Sequence, residues 1–191
     1  EPSSSVTVFY LAIKRSFPAL VTHNIIFPED YAPEFEGIFS TGAICKAPVL
    51  YIYVSSKYSP GDAPSGCENW FVLINSPPDN NQDWEAVKNN LRPYIIRRIQ
   101  QTFGVDITDE MDIAEYRSPR DLARITGSWH GSLYGPASHR MLSAFYRQPN
   151  RCTHYTGLYF CGGSAHPGGG MPLAALSGRH AAEALLEDFG G

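Results

Sequence analysis

The residues with the most chemical content lie together near the end of the chain. Gly162-Gly163-Ser164-Ala165-His166-Pro167-Gly168-Gly169-Gly170 is followed at once by Met171-Pro172 and a run of small and apolar residues. Glycines let the backbone take positive φ and approach a ligand closely. A helix beginning at Met171 presents unbonded N–H groups and the positive end of its dipole. Pro172 suits a first helical turn, where its missing N–H costs nothing. The pattern is that of an anion or dinucleotide site. It is not the full GxGxxG fingerprint, because Gly168 and Gly170 fit the first two glycines and Leu173 stands where the third belongs. A glycine-rich turn between strand and helix also occurs as plain scaffolding. His166 is an acid–base candidate by residue type, but a lone loop histidine more often has only a structural partner.

A turn of this kind needs elements on both sides. Residues 157–163 are short and apolar and read as a strand, and the helix from Met171 runs to Phe189. Ala174, Ala175, Ser177, Gly178, Ala181 and Ala182 leave that helix narrow enough to pack closely on a sheet or a cofactor. Upstream, residues 5–14 and 23–27 are rich in β-branched and aromatic side chains and read as strands. Residues 29–39 place Tyr31, Phe35, Ile38 and Phe39 at helical spacing, a short amphipathic helix. Residues 49–55 and 69–75 are strands joined by a turn-rich loop at 59–66, which predicts an antiparallel pair. Asp83 is an N-cap for a helix with apolar positions at Val87, Leu91, Tyr94, Ile95, Ile99 and Phe103, ending at Gly104 and kinked at Pro93. Residues 111–116 read as a strand. Ser118-Pro119 opens a helix to Ile125, and residues 127–140 form a long structured loop.

Composition narrows the function classes. Hydrophobic residues make up 43% and charged residues 18% of 191 positions, which argues for a folded chain and against disorder. The net charge of −4 lacks the basic footprint of a nucleic-acid-binding domain. No apolar run approaches the ~20 residues that span a bilayer. The four cysteines show no CxxC spacing and the six histidines are scattered, so a metal site is not expected, and free thiols in a reducing compartment are. Residues 1–5 do not carry a signal-peptide pattern, and the polar start without Met reads as the interior of a larger protein or as a processed or trimmed terminus.

With these motifs in order, the chain resembles the carotenoid desaturase family, of the phytoene desaturase and hydroxycarotenoid 3,4-desaturase type. The run GLYFCGGSAHPGGGMPLAALSGRHAAEALL resembles that family's C-terminal flavin motif. His23-Asn24-Ile25-Ile26-Phe27 with Glu29-Asp30-Tyr31, Gly66-Cys67-Glu68-Asn69-Trp70-Phe71-Val72, and Gly131-Ser132-Leu133-Tyr134-Gly135 resemble further family blocks in the same order.

The resemblance implies an α/β (α+β) flavoprotein of the glutathione-reductase-like class. It implies a mixed-sheet substrate domain portion over residues 1–150 and the C-terminal strand–turn–helix of the FAD domain over 151–191, without the N-terminal βαβ unit that holds the ADP half. It implies FAD near Gly162, Gly163, Ser164, His166, Pro167, Gly168, Gly169, Gly170, Met171 and Pro172, and no catalytic base can be named. The implied reaction removes two hydrogens from a C–C bond of a carotenoid such as phytoene or a hydroxycarotenoid, one as hydride to the flavin. The implied setting is cytoplasmic and peripheral to the membrane, with no nucleic acid as partner. Alternatives are an isomerase, ketolase or oxidase on the same fold, or a non-catalytic binding module. Without the ADP-binding half, tight FAD binding by these residues alone is not expected.

Overall fold

The computed structural model describes residues 1–137 and 147–190. Nine elements follow in chain order: β1 (Ser5–Ile13), β2 (His23–Ile26), α1 (Ala32–Glu36), β3 (Leu50–Val54), β4 (Glu68–Ser76), α2 (Trp84–Phe103), β5 (Met111–Arg117), α3 (Pro119–Thr126) and α4 (Met171–Phe189). Short single turns of helix lie between them.

The five strands form one sheet in the order β2-β3-β4-β1-β5. Every strand pair is antiparallel, including β3 with β4. This agrees with an α+β class and corrects the mixed sheet expected from the sequence. The reason is connectivity: β3 and β4 close through a turn-rich loop, whereas parallel neighbours would need a crossover.

The strands alternate as half-buried strands must. On β4, Trp70, Val72 and Ile74 are buried, while Asn69, Phe71, Leu73 and Asn75 face the other side and are half-buried. Phe9, Leu11 and Ile13 of β1 and Leu50, Ile52 and Val54 of β3 join the buried set. Leu91, Tyr94, Ile95 and Ile99 of α2 close over that face and complete the core. Each fully buried side chain of this size contributes about 1.5–3 kcal/mol relative to exposure.

α2 begins and ends where the sequence places it. The Asp83 carboxylate accepts from the Ala86 N–H at 3.0 Å, and Gly104 ends the helix with φ 68°. The helix is continuous through Pro93. α3 starts on a capping box, in which Ser118 accepts from the Asp121 N–H and the Asp121 carboxylate accepts from the Ser118 N–H.

Two carboxylates are buried among the described residues, Glu34 and Glu68. Glu68 accepts from Ser16 Oγ at 2.6 Å, Phe17 N–H at 3.0 Å and Trp70 Nε1 at 2.8 Å, and pairs with Lys57 Nζ at 2.6 Å. Burial pushes its carboxyl up, but the bonds from Lys57, Ser16, Trp70 and Phe17 outweigh that, and its pKa lies below the ordinary range. These bonds fasten the segments after β1 and β3 to β4.

Two expectations change. The helix expected over 29–39 is α1 followed by a wider turn over Gly37–Thr41. The strand expected over 157–163 does not form; the stretch carries one isolated bridge, between Tyr159 and Arg151. An apolar run becomes a strand only where a neighbour takes its N–H and C=O groups, and among the described residues no extended ladder reaches this one. The loop expected over 127–140 is a turn at Trp129–Gly131 and irregular backbone to residue 137, and residues 138–140 lie outside the described residues.

Candidate functional site

The glycine turn and the start of α4 form one local structure. α4 is 19 residues long, and its N-cap is Gly170, at φ 98°, with no side chain capping the helix. The first helical bond runs from the Ala174 N–H to the Gly170 carbonyl at 2.9 Å. The first turn therefore carries backbone donors and the positive dipole end with no acidic residue to neutralise them.

The ten residues singled out from the sequence lie where the turn reads in order. Gly168 is buried. Gly162, Gly163, Pro167 and Gly169 are half-buried, and Ser164, His166, Gly170, Met171 and Pro172 are exposed. Met171 is 89% exposed, so the end of α4 is open. The His166–Pro167 peptide is cis. The His166 ring stacks on His180 one helical stretch away, with centroids 6.0 Å apart.

The turn is positioned by residues that periodicity did not reveal. Asn150 Nδ2 lies 3.0 Å from the carbonyls of Phe160 and His166, 3.0 Å from Ser177 Oγ and 3.2 Å from the Ser177 carbonyl. Ser177, fully buried in α4, accepts from the Gly162 N–H at 3.2 Å. One amide and one hydroxyl thus tie the approach to the turn, the turn and the helix together. Arg147 donates to the carbonyls of Tyr134 at 3.0 Å and Gly163 at 2.9 Å, clamping the Gly131–Gly135 loop onto the turn. The fit is close: a Cβ on Gly169 would sit 2.7 Å from the Tyr134 ring. The far end of α4 is held by Arg151, which pairs with Glu187 and Asp188 at 2.9 Å each. Tyr159 donates to Asp188 at 2.6 Å, a bond that raises the phenol's pKa.

Ser177 was visible in the sequence only as a small helix residue, and Tyr134 only as part of a glycine-flanked loop. Nothing in the pattern marks Arg147 or Asn150, because each acts through backbone carbonyls far along the chain.

A groove of about 290 Å³ opens beside the turn, lined by Ser3, Ser4, Phe39, Tyr134, Arg147 and Gly169. Within 162–172 the only ionisable side chain is His166. The turn can therefore bind through backbone donors, and bound chemistry must come from a ligand or from groups outside it. Bare backbone, an uncapped helix start and a close-packed tyrosine fit a flat, partly anionic cofactor.

No protein-family model matches the chain. Individual proteins do. A 1-hydroxycarotenoid 3,4-desaturase from Flavobacterium sp. is 43% identical over 185 residues, covering 97% of this chain and 38% of the relative. A hydroxyneurosporene desaturase from Cereibacter sphaeroides is 36% identical over 187 residues, 98% of this chain and 37% of the relative. A 4,4'-diapolycopene oxygenase from Methylomonas sp. is 30% identical over 195 residues, 99% of this chain and 38% of the relative. The chain spans about two-fifths of the length of these relatives.

Proposed function

We propose that this chain, which belongs to the family of carotenoid desaturases and oxygenases, is part of an FAD-dependent oxidoreductase that desaturates a carotenoid. The observation that carries the reading is the uncapped start of α4 behind Gly168, Gly169 and Gly170, seated against Tyr134 and Arg147.

In this reading Gly162, Gly163, Ser164, His166, Pro167, Gly168, Gly169, Gly170, Met171 and Pro172 hold the cofactor as part of an FAD domain over 151–191, and residues 1–150 belong to a substrate domain. When bound, FAD supplies the two-electron acceptance that breaking a carotenoid C–H bond requires. The chain's own residues bind and orient. With FAD bound, the Met171 N–H would donate to an acceptor on it at the positive end of α4. Ser164 offers a hydroxyl that donates and accepts. Tyr134 covers Gly169, and Arg147 keeps loop and turn in one geometry. His166 shapes the turn.

Desaturation is preferred over oxygenation because the two desaturases share 43% and 36% identity with the chain, against 30% for the oxygenase. A carotenoid resides in the bilayer. Among the described residues no helix is long and apolar enough to cross a membrane, so peripheral contact is part of the proposal.

The full-length protein tests this directly. It should stay yellow after desalting and convert a carotenoid to a product absorbing at longer wavelength, the signature of added conjugation. Gly169→Val would clash with Tyr134, and Gly170→Val would strain a backbone at φ 98°; each should lose flavin while the protein remains folded by circular dichroism. Normal flavin content in both variants removes this turn from the cofactor site.

A further inference from the structure

α2 does not bring its whole apolar row onto the sheet. Trp84, Val87, Leu91 and Tyr94 recur at helical spacing, and one side of that row looks across a cavity at residues 42–46. The facing segment is fastened at both ends. Gln82 Nε2 donates to the Gly42 carbonyl at 2.9 Å, and the Tyr94 hydroxyl donates to the Pro48 carbonyl at 2.7 Å. Between these two ties about 410 Å³ stays open, within the range of about 300–1,000 Å³ of small-molecule sites.

The walls suit an apolar body. Trp84 Nε1 donates to Asp79 at 2.8 Å, and Gln82 Nε2 also donates to the Pro78 carbonyl at 3.1 Å. With the Tyr94 hydroxyl held by Pro48, these wall donors are engaged, and a hydrocarbon can cover them without stranding one. Burial pushes the pKa of the Cys45 thiol up, so it lines the cavity as an uncharged group.

The rim is cationic. Lys46 and Arg97, both exposed, line the cavity, and no carboxylate among the described residues does. Neither cation is in an ion pair among the described residues; Arg97 lies over the Tyr94 ring at 5.7 Å. The nearby acids are directed elsewhere. Glu34 accepts from the Val49 N–H and Asn75 Nδ2, both at 2.7 Å. Glu29 and Asp30 line an adjoining depression, which Arg98 and Lys46 also line.

We propose that this cavity binds a single-chain amphiphile with one anionic head: its apolar body lies between α2 and residues 42–46, and its carboxylate meets Lys46 and Arg97. Apolar burial supplies most of the affinity, and the two cations select the head. The site is independent of the carotenoid reading.

The test titrates the full-length protein with monomeric decanoate by calorimetry and follows alkylation of each cysteine by iodoacetamide. Decanoate should saturate one site and slow alkylation of Cys45, leaving the exposed Cys161 unchanged. Decanol, an uncharged chain of the same length, should bind about tenfold more weakly, the worth of two exposed charge pairs. Lys46→Ala/Arg97→Ala should weaken decanoate by about the same factor and leave decanol unchanged. Val87→Phe, which fills the cavity, should weaken both. The double variant alters only exposed side chains, so it decides the matter whether or not Val87→Phe folds. Equal affinity for acid and alcohol, or a double variant that binds decanoate like the wild type, overturns the anionic head. Binding that leaves Cys45 alkylation unchanged overturns the site, because the ligand then lies elsewhere. So does a Cys45 that iodoacetamide does not reach in the unliganded full-length protein, because the rest of that protein then covers the cavity. If monomeric decanoate does not bind and the double variant loses sedimentation with phosphatidylserine vesicles, the rim is a membrane contact and the proposal falls.

Discussion

α2 and α4 are nearly equal in length, 20 and 19 residues, yet they are held in different ways. α2 starts on the Asp83 cap and buries Trp84, Leu91, Tyr94, Ile95 and Ile99. α4 starts on an uncapped glycine and buries only Ser177 and Ala181, while Met171, Leu173, Leu176, Leu185, Leu186 and Phe189 stay exposed. α2 is fixed by apolar area. α4 is fixed by polar bonds from Asn150, Arg147 and Arg151 around the turn and along the helix. Within this chain, which spans about two-fifths of the relatives' length, α4 is held by polar bonds at its turn and far end, and its apolar residues find no seat on the sheet of β1–β5.

The strongest challenge to this contrast is a matched pair of truncations. Ile99→Ala in α2 should cost about 2–5 kcal/mol in urea-induced unfolding, whereas Leu186→Ala in α4 should stay within about 0.5 kcal/mol. Equal losses would mean that α4 shares the core after all.

The packed region also has a pH signature. Glu68 has its pKa lowered in the fold, so its contribution is present above the ordinary glutamate range and is lost as pH falls through the folded value. Glu68→Gln should cost about 1–3 kcal/mol near neutrality and flatten the acid limb of the stability curve. A variant whose acid limb matches the wild type would show that other carboxylates set it.

The smallest effect sharpens the polar side of the comparison. Asn150→Ala should lower the local opening free energy of α4 by about 1–2 kcal/mol, read as faster amide exchange in α4 with α2 unchanged. Slower or unaltered exchange in α4 would remove Asn150 as the fastener.

Legibility in the sequence follows the same divide. α2 was readable to its end residues, since an Asp cap, a 3.6-residue apolar period and a terminal glycine are all local signals. The strands were readable because alternation reports burial on one face. The segment 29–39 was readable as amphipathic, but the count of apolar positions could not tell that Ile38 turns inward while Tyr31, Phe35 and Phe39 turn outward. Residues 157–163 read as a strand because composition records apolarity and says nothing of a pairing partner. The ten turn residues stand out in the sequence because they fall in one run from 162 to 172, broken only at Ala165. Arg147 and Asn150 were not, because a side chain that bonds distant carbonyls leaves no periodic trace.

The sheet order has a consequence for how the chain reaches this state. β1 is interior to the sheet, between β4 and β5, with Ser5 opposite Ser76, Ile13 opposite Glu68 and Phe9 opposite Tyr116. As the polypeptide emerges from the ribosome, β1 comes first among these strands and its two partners come much later. Until then Phe9, Leu11 and Ile13 lie on a strand with both edges bare. That is the condition under which a nascent segment draws chaperones or pairs wrongly, and high contact order makes the wait long. Lys14 and Arg15, directly after β1, place positive charge beside that strand during this interval.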